Sequence, residues 1–244
     1  MRTTKRIISA LLVISLFAIV LSSCGLFGDP EELVAEADAA LDEKAYTVKT
    51  VVQYESTDAK MQEAIAAFTN PVILTEVNGD SFRISMLFEK DGRENGVIYT
   101  YVDGVLYTEL DELGTTTKTS ETVTDLDKNE LRSELGAGAI LSVDDFNNAK
   151  AITTNGESLI TCTDIKDEPL DALVESLASQ MPEGTVVAIK DVGLAITISD
   201  GVYTYLLLTC SYVITTSDAV YTLNMTYASE FTYGDVDEIV APTF

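Results

Sequence analysis

Apolar and polar positions along the chain follow three different rhythms. Arg2, Lys5 and Arg6 precede fifteen residues, Ile7 to Leu21, that carry no charge at all. After Pro30 the apolar residues Leu33, Ala37, Ala40 and Leu41 recur at helical spacing through about Ala45. Asp29 ahead of Pro30 suits an N-cap with proline at the first helical position, and Glu31 and Glu32 suit the positive end of the helix dipole. From Tyr46 the period becomes two: Tyr46, Val48, Thr50, Val52 and Tyr54 face one way, which predicts a half-buried strand. A short helix over Ala59 to Phe68 should stop before Pro71. Phe82, Ile84, Met86 and Phe88 then alternate with Arg83, Ser85, Leu87 and Glu89 as a second strand.

Val97 to Leu110 reads as a hairpin with Asp103-Gly104 at its tip, a pair that readily adopts positive φ. That register puts Val97, Tyr99, Tyr101, Leu106 and Leu110 on one inward face. The Thr- and Ser-rich stretch Gly114 to Thr124 reads as a loop. Asp127 and Glu130 form a capping-box pattern for a short helix through Leu131 and Leu135, stopped by Gly136 and Gly138, and a second short helix is expected near Val143 to Ala149. Ala151 to Ile165 reads as a hairpin turning at Asn155-Gly156, and Pro169 to Met181 as a helix with Leu170, Leu173, Val174 and Leu177 in one stripe. The rest is strand: Val186 to Asp191, Gly193 to Ile198, Val202 to Ile214 and Val220 to Tyr233, joined at Asp200-Gly201 and near Ser217-Asp218.

These last strands conflict. A two-residue turn at Asp200-Gly201 groups Leu194, Ile196 and Ile198 with Tyr203, Tyr205 and Leu207, whereas a similar turn at Ser217-Asp218 groups Tyr221, Leu223, Met225 and Tyr227 with Leu208, Cys210, Tyr212 and Ile214. The two sets lie on opposite faces of one strand. Either the second loop has an odd length, or a β-bulge near Leu206 to Leu208 exchanges the faces.

The N-terminal run changes the picture of where the chain belongs. It is shorter than the roughly 20 residues a membrane-spanning helix needs, and with its basic start it reads as a signal peptide. Its end, Leu21-Ser22-Ser23-Cys24 before Gly25, resembles the lipobox of bacterial lipoproteins. The resemblance implies cleavage between Ser23 and Cys24 and a diacylglyceryl thioether on Cys24; a non-cleaved anchor or an ordinary secretory signal is the alternative. Residues 1–23 are then the signal peptide, 24–30 a short membrane-proximal linker and 31–244 one domain. The expected location is the extracytoplasmic side of a cell membrane, held by lipid. Gly25 is not the aspartate that retains Gram-negative lipoproteins at the inner membrane, so outer-membrane delivery stays open.

The chain has net charge −25, and loss of three basic residues with the signal leaves 12 basic against 40 acidic, near −28. Such a surface repels nucleic acid and anionic headgroups, whose binding rests on Lys and Arg. Anchoring therefore falls to the lipid, and two acyl chains suffice. Apolar residues nevertheless make up 46% of the chain, enough for a folded core. Of three cysteines, Cys162 and Cys210 fall in predicted strands; a disulfide between them and two small buried thiols that never meet both fit the pattern.

There is no histidine, which removes Ser-His-Asp and Cys-His catalysis and histidine-bound zinc. No Gly-x-Ser-x-Gly elbow, phosphate loop or dinucleotide fingerprint is present. Asp125-Leu126-Asp127-Lys128-Asn129 opens like a calcium loop, but Glu130 stands where the turn glycine belongs and Gly136 where the bidentate glutamate belongs. The expectation is a protein without catalytic residues, metal or cofactor.

The order of elements, an N-terminal helix, a strand Tyr46-Thr-Val-Lys-Thr-Val-Val-Gln-Tyr, a Tyr-Val-Asp-Gly-Val-Leu-Tyr hairpin, a helical insert, a long closing meander and the tail Asp237-Glu238-Ile239-Val240-Ala241-Pro242, resembles the LolA-like lipoprotein-carrier superfamily. That resemblance implies an α+β fold: a strongly curved antiparallel half-barrel whose concave face is covered by short helices, with an apolar cavity between. Tyr54, Phe82, Met86, Phe88, Tyr99, Tyr101, Met225, Tyr227 and Phe231 are the candidate lining; the same residues equally suit a filled core. Two functions follow. One is an envelope lipoprotein binding a lipid, glycolipid or acyl chain as carrier, chaperone or sensor. The other is a non-enzymatic surface module that docks on a protein partner. A two-lobed substrate-binding protein would need alternating strands and helices, which this pattern lacks.

Overall fold

The computed structural model describes residues 28–66, 71–90, 93–112, 114–123, 128–135, 141–179, 181–234 and 236–243. The signal segment, Ser23 and Cys24, and the expected capping residue Asp127 and stop glycines Gly136 and Gly138 lie outside them. Among the described residues, no helix is long and apolar enough to cross a membrane.

Helix α1 (Pro30–Glu43) starts as its sequence predicts: the Asp29 side chain accepts a hydrogen bond from the Glu31 amide at 3.1 Å, and Pro30 occupies the first turn. Its fully buried residue is Ala37. Strand β1 (Tyr46–Ser56) follows, then helix α2 (Ala59–Ala66). Five strands come next: β2 (Val72–Asn78), β3 (Ser81–Lys90), β4 (Arg93–Val102), β5 (Val105–Glu112) and β6 (Thr115–Thr122). Helix α3 (Lys128–Glu134) and a single 3₁₀ turn (Val143–Asp145) lead to β7 (Phe146–Thr154) and β8 (Glu157–Ile165). Helix α4 (Asp167–Ser179) precedes the long strands β9 (Val186–Ser199), β10 (Val202–Thr215) and β11 (Val220–Tyr233).

Among the described residues, eleven strands form one antiparallel sheet in the order β6-β5-β4-β3-β2-β1-β11-β10-β9-β8-β7. It is two meanders joined in the middle, where β1 pairs with β11 along its whole length from Tyr46↔Tyr233 to Ser56↔Leu223. The sheet is open, with β6 and β7 as its edges. The helices are few and short, so the molecule is mostly β rather than evenly α+β.

Three expected two-residue turns are present: Asp103-Gly104, Asn155-Gly156 and Asp200-Gly201 each place both residues at positive φ, as a type I′ turn demands. Three other readings are corrected. Val72–Asn78 is a strand that period-two reading passed over, and it fills the place between β1 and β3. Thr115–Thr122 is a strand where the Thr- and Ser-rich pattern predicts a loop; every side chain in it is exposed, and it is held by its ladder with β5 and by polar side-chain contacts such as the Lys118–Glu109 ion pair at 2.9 Å. The helix expected over Val143 to Ala149 is one 3₁₀ turn, in which the Ser142 amide donates to Asp145 Oδ2 at 2.6 Å. From Phe146 on, pairing with β8 overrides the apparent i, i+3 apolar spacing. Helix α4 is present where Pro169 to Met181 predicts it, and its stripe of Leu170, Leu173 and Val174 packs half-buried against the core beside β9.

The conflict between β9 and β11 resolves by a bulge in β10, two residues earlier than expected. Tyr203 opposes Ile198 and Tyr205 opposes Thr197, leaving Thr204 as the extra residue. The β10–β11 connection has four residues, 216–219, an even number that leaves the parity conflict to the bulge. A second register shift falls between Thr209 and Ser211 opposite Asp191, which sits at positive φ. Bulges add local bend and twist to strands of this length.

Cys162 and Cys210 are both buried and both free. Cys162 opposes Leu194 on β9, and Leu194 opposes Leu208 on β10, so a whole strand separates the two thiols. Two inter-strand steps of about 4.8 Å each exceed the roughly 7 Å Cα separation a disulfide can bridge. The disulfide expectation is corrected to two separate buried thiols.

Candidate functional site

Residues opposed in a ladder point to the same face of the sheet. Through the β1 ladders, Tyr46, Val48 and Thr50 share a face with Tyr233, Phe231 and Ser229 of β11 and with Val77, Thr75 and Ile73 of β2. Helix α1 crosses this face and is held to it by Tyr203, whose hydroxyl donates to Asp38 Oδ1 at 2.7 Å. Helix α3 is held to the same face by Arg132, which donates to the Tyr46 hydroxyl and also to Asn129 Oδ1.

Between α1, α3, the segment 141–143 and the sheet lies a cavity of about 480 Å³. Its walls are largely apolar: Val34 and Leu41 of α1, Leu141 and Val143, Val48 of β1, Ile196 of β9, Leu206 of β10 and Phe231 of β11. Thr50 and Ser229 lie buried in its floor and satisfy each other at 2.8 Å between hydroxyl oxygens. The exposed lining residues Asp38, Asp42, Asn129 and Ser142 mark its mouth. Tyr203 and Leu206, three apart in one strand, both line it because the bulge at Thr204 reverses the alternation between them.

Burial, reinforced by the bond to Asp38, pushes the Tyr203 phenol far above its ordinary range, so it stays a donor. Partial desolvation of its carboxyl at the mouth also raises Asp38; the Tyr203 hydrogen bond opposes this and the neighbouring Asp42 adds to it. Burial raises the Tyr46 phenol, with Arg132 opposing. Among the described residues, no group of three or more Cys, Asp or Glu side chains is placed to hold a metal ion.

Of the nine residues expected to line a cavity, Tyr227 and Phe231 do so. Phe82 is buried and stacks on Tyr101 with ring centroids 5.2 Å apart, filling core instead. Tyr54 and Met225 oppose each other farther along β1 and β11, beside Tyr212, whose hydroxyl donates to the Met225 sulfur at 3.2 Å. Met86 and Tyr99 are half-buried on the strands beyond β2, and Phe88 is 38% exposed. The reason is lateral: helix cover falls over β1 and its neighbours, and aromatic content on β3 and β4 says nothing about that.

Sequence reasoning missed Asp38, Asp42, Tyr203, Arg132 and the Thr50–Ser229 pair. A signal for the first two existed, since Val34, Asp38, Leu41 and Asp42 share one helical face at i, i+4, i+7 and i+8. Nothing local marks the others, because their partners are more than 80 residues away in sequence.

No protein-family model matches the chain, and no curated protein matches it. Among solved structures, the ywiB protein from Bacillus subtilis is similar over 77% of this chain and 91% of its own, at 9% identity and a TM-score of 0.19. MucB in complex with MucA(peri) is similar over 84% of this chain and 94% of its own, at 10% identity and a TM-score of 0.15. At those scores neither likeness carries an argument about this chain.

Proposed function

We propose that this chain is a cell-envelope lipoprotein, tethered through Cys24, that holds a hydrophobic ligand such as an acyl chain or glycolipid in the cavity beneath α1. It acts as carrier, chaperone or sensor, with no chemistry of its own. The observation that carries the reading is the cavity of about 480 Å³. Packed protein interiors hold few voids larger than a water molecule, and ligand sites occupy roughly 300–1,000 Å³ with mostly apolar walls. In this reading the sheet bends around α1 and α3 as a half-barrel, the LolA-like arrangement that the order of elements suggests.

The test is native mass spectrometry of a form beginning at Gly25, which retains every described element, after mild extraction from its host. Co-purified lipid at one-to-one stoichiometry is the expected result; a bare mass together with no uptake of a neutral dye such as Nile red would overturn the reading. The anchor is tested separately: labelled fatty acid should enter the wild-type chain and be absent from Cys24→Ala.

A second reading, a module that docks on a protein partner, draws on Phe88 and Leu110, large apolar residues each 38% exposed on the outlying half of the sheet. The bare mass just described would favour it.

A further inference from the structure

The mouth of the cavity breaks a local rule of helix construction. The C-terminal end of a helix carries partial negative charge and favours Lys or Arg there. Helix α1 has no basic residue in its last turn and instead carries Asp42 and Glu43; its C-cap residue Lys44 lies over the Tyr233 ring, 5.8 Å from the centroid, and is not part of the cavity lining. Asp38 stands one turn before Asp42 on the same face, and both line the cavity. Among the described residues, neither carboxylate forms an ion pair with a Lys or Arg. Asp38 accepts one hydrogen bond from Tyr203, leaving most of its lone-pair sites open. Arg132, the cation in the lining, is already bonded to Tyr46 and Asn129. The mouth therefore gathers two carboxylates and the negative pole of a helix against one engaged guanidinium, above an apolar chamber.

Resting on the proposed cavity reading, we infer that the ligand is an amphiphile with a cationic, amine-type head, its chain in the chamber and its head against Asp38 and Asp42. Two acidic residues in the last turn of α1, with Asp38 one turn earlier, repel one another and the helix pole when the cavity is empty. A bound ammonium supplies counter-charge there and donates hydrogen bonds to the open carboxylate oxygens. A carboxylate-headed amphiphile of equal length meets the reverse: repulsion from both aspartates and from the carbonyl end of α1, offset within the lining by Arg132, which is already engaged. At roughly 30 Å³ per methylene, the volume of a water molecule, about 480 Å³ holds about sixteen carbons, so a twelve-carbon chain fits with room for its head.

The test is calorimetric titration of the form beginning at Gly25 with dodecylammonium, dodecanoate and dodecanol. It is run below their micelle concentrations in 150 mM salt, where the Debye length of about 8 Å screens remote surface charge. Dodecylammonium should bind at least ten-fold more tightly than dodecanoate. Asp42→Asn and Asp38→Asn should each remove at least three-fold of that preference. Glu157→Gln, an equal change in net charge on β8, should not. Equal binding of the two ions, with dodecanol also bound, would overturn the head-group inference and leave the cavity reading standing. A preference untouched by both Asp→Asn variants would assign it to overall charge and overturn the inference too. Failure of all three probes to bind the folded protein, checked by circular dichroism, would overturn both.

Discussion

Tyr203 connects the sheet to the helix above it, and its hydroxyl reaches Asp38 of α1 across 165 residues of chain. Tyr203→Phe keeps the ring and its tilted contact with Phe231 but removes the donor. It should cost about 1 kcal/mol in urea unfolding, below the usual range for a bond to a charged group because the mouth is partly wet. Asp38 itself titrates with a raised pKa, chiefly from burial. A raised carboxyl binds its proton more readily folded than unfolded, so its charged form weighs against the folded state above the folded pKa. That burden lifts as pH falls from neutral through the folded value toward the ordinary 3.8. The stability difference between Asp38→Asn and wild type should therefore move in favour of Asn as pH rises from 4 to 7; a flat or opposite trend would contradict the assignment. At the same scale, Cys162 is buried with its thiol pushed up to about 11, and Cys210 is raised as well, again by burial. Iodoacetamide should label neither in the folded form beginning at Gly25 and both after unfolding, and reduction should leave its intact mass unchanged.

Among the elements, β10 is the one whose irregularity matters most. Its bulge at Thr204 lets Tyr203 serve the β9 side and Leu206 and Leu208 serve the β11 side from a single face. Deleting Thr204 would put one of these sets outside the core, so the deletion should abolish cooperative unfolding, while Thr204→Ala, which keeps the count, should cost no more than about 1 kcal/mol. The need for a face exchange was legible because a strand that must match two neighbours through two even loops has a parity that can be counted. Its position was not, because where the extra residue sits depends on which ladder bends. The three type I′ hairpins were legible because their turns need positive φ and advertise it with Asp-Gly and Asn-Gly. Strands β2 and β6 were illegible for opposite reasons. β2 follows a proline and reads as spacer until β1 and β3 flank it, and β6 buries no side chain, so period two leaves no trace.

At the scale of the whole molecule, the pairing of β1 with β11 fuses two meanders into one sheet and lays helix cover over its middle. The tail past β11 extends this closure: the Asn78 side-chain amide donates to Val236 O at 3.0 Å, and Ile239 is buried. An excess of 25 negative charges over a body of this size stores self-repulsion that salt relieves. Raising sodium chloride from 20 to 200 mM should raise the melting temperature by a few degrees, and a fall would show that local ion pairs outweigh the net field.

What the sequence determined by itself is whatever neighbours within a few residues decide: the cap and stripe of α1, the alternation of β1, β3, β4 and the last three strands, the glycine turns, and the acidic charge. The tertiary structure alone decided which strands became neighbours, where the helices came to rest, and hence that the cavity lies over β1, β11 and β10 rather than among the aromatics of β3 and β4. The physical reason is that ladder pairing and burial are set by contacts between distant segments, such as Thr50 with Ser229 and Tyr203 with Asp38. Those contacts depend on how the whole sheet closes, and no local rhythm encodes that.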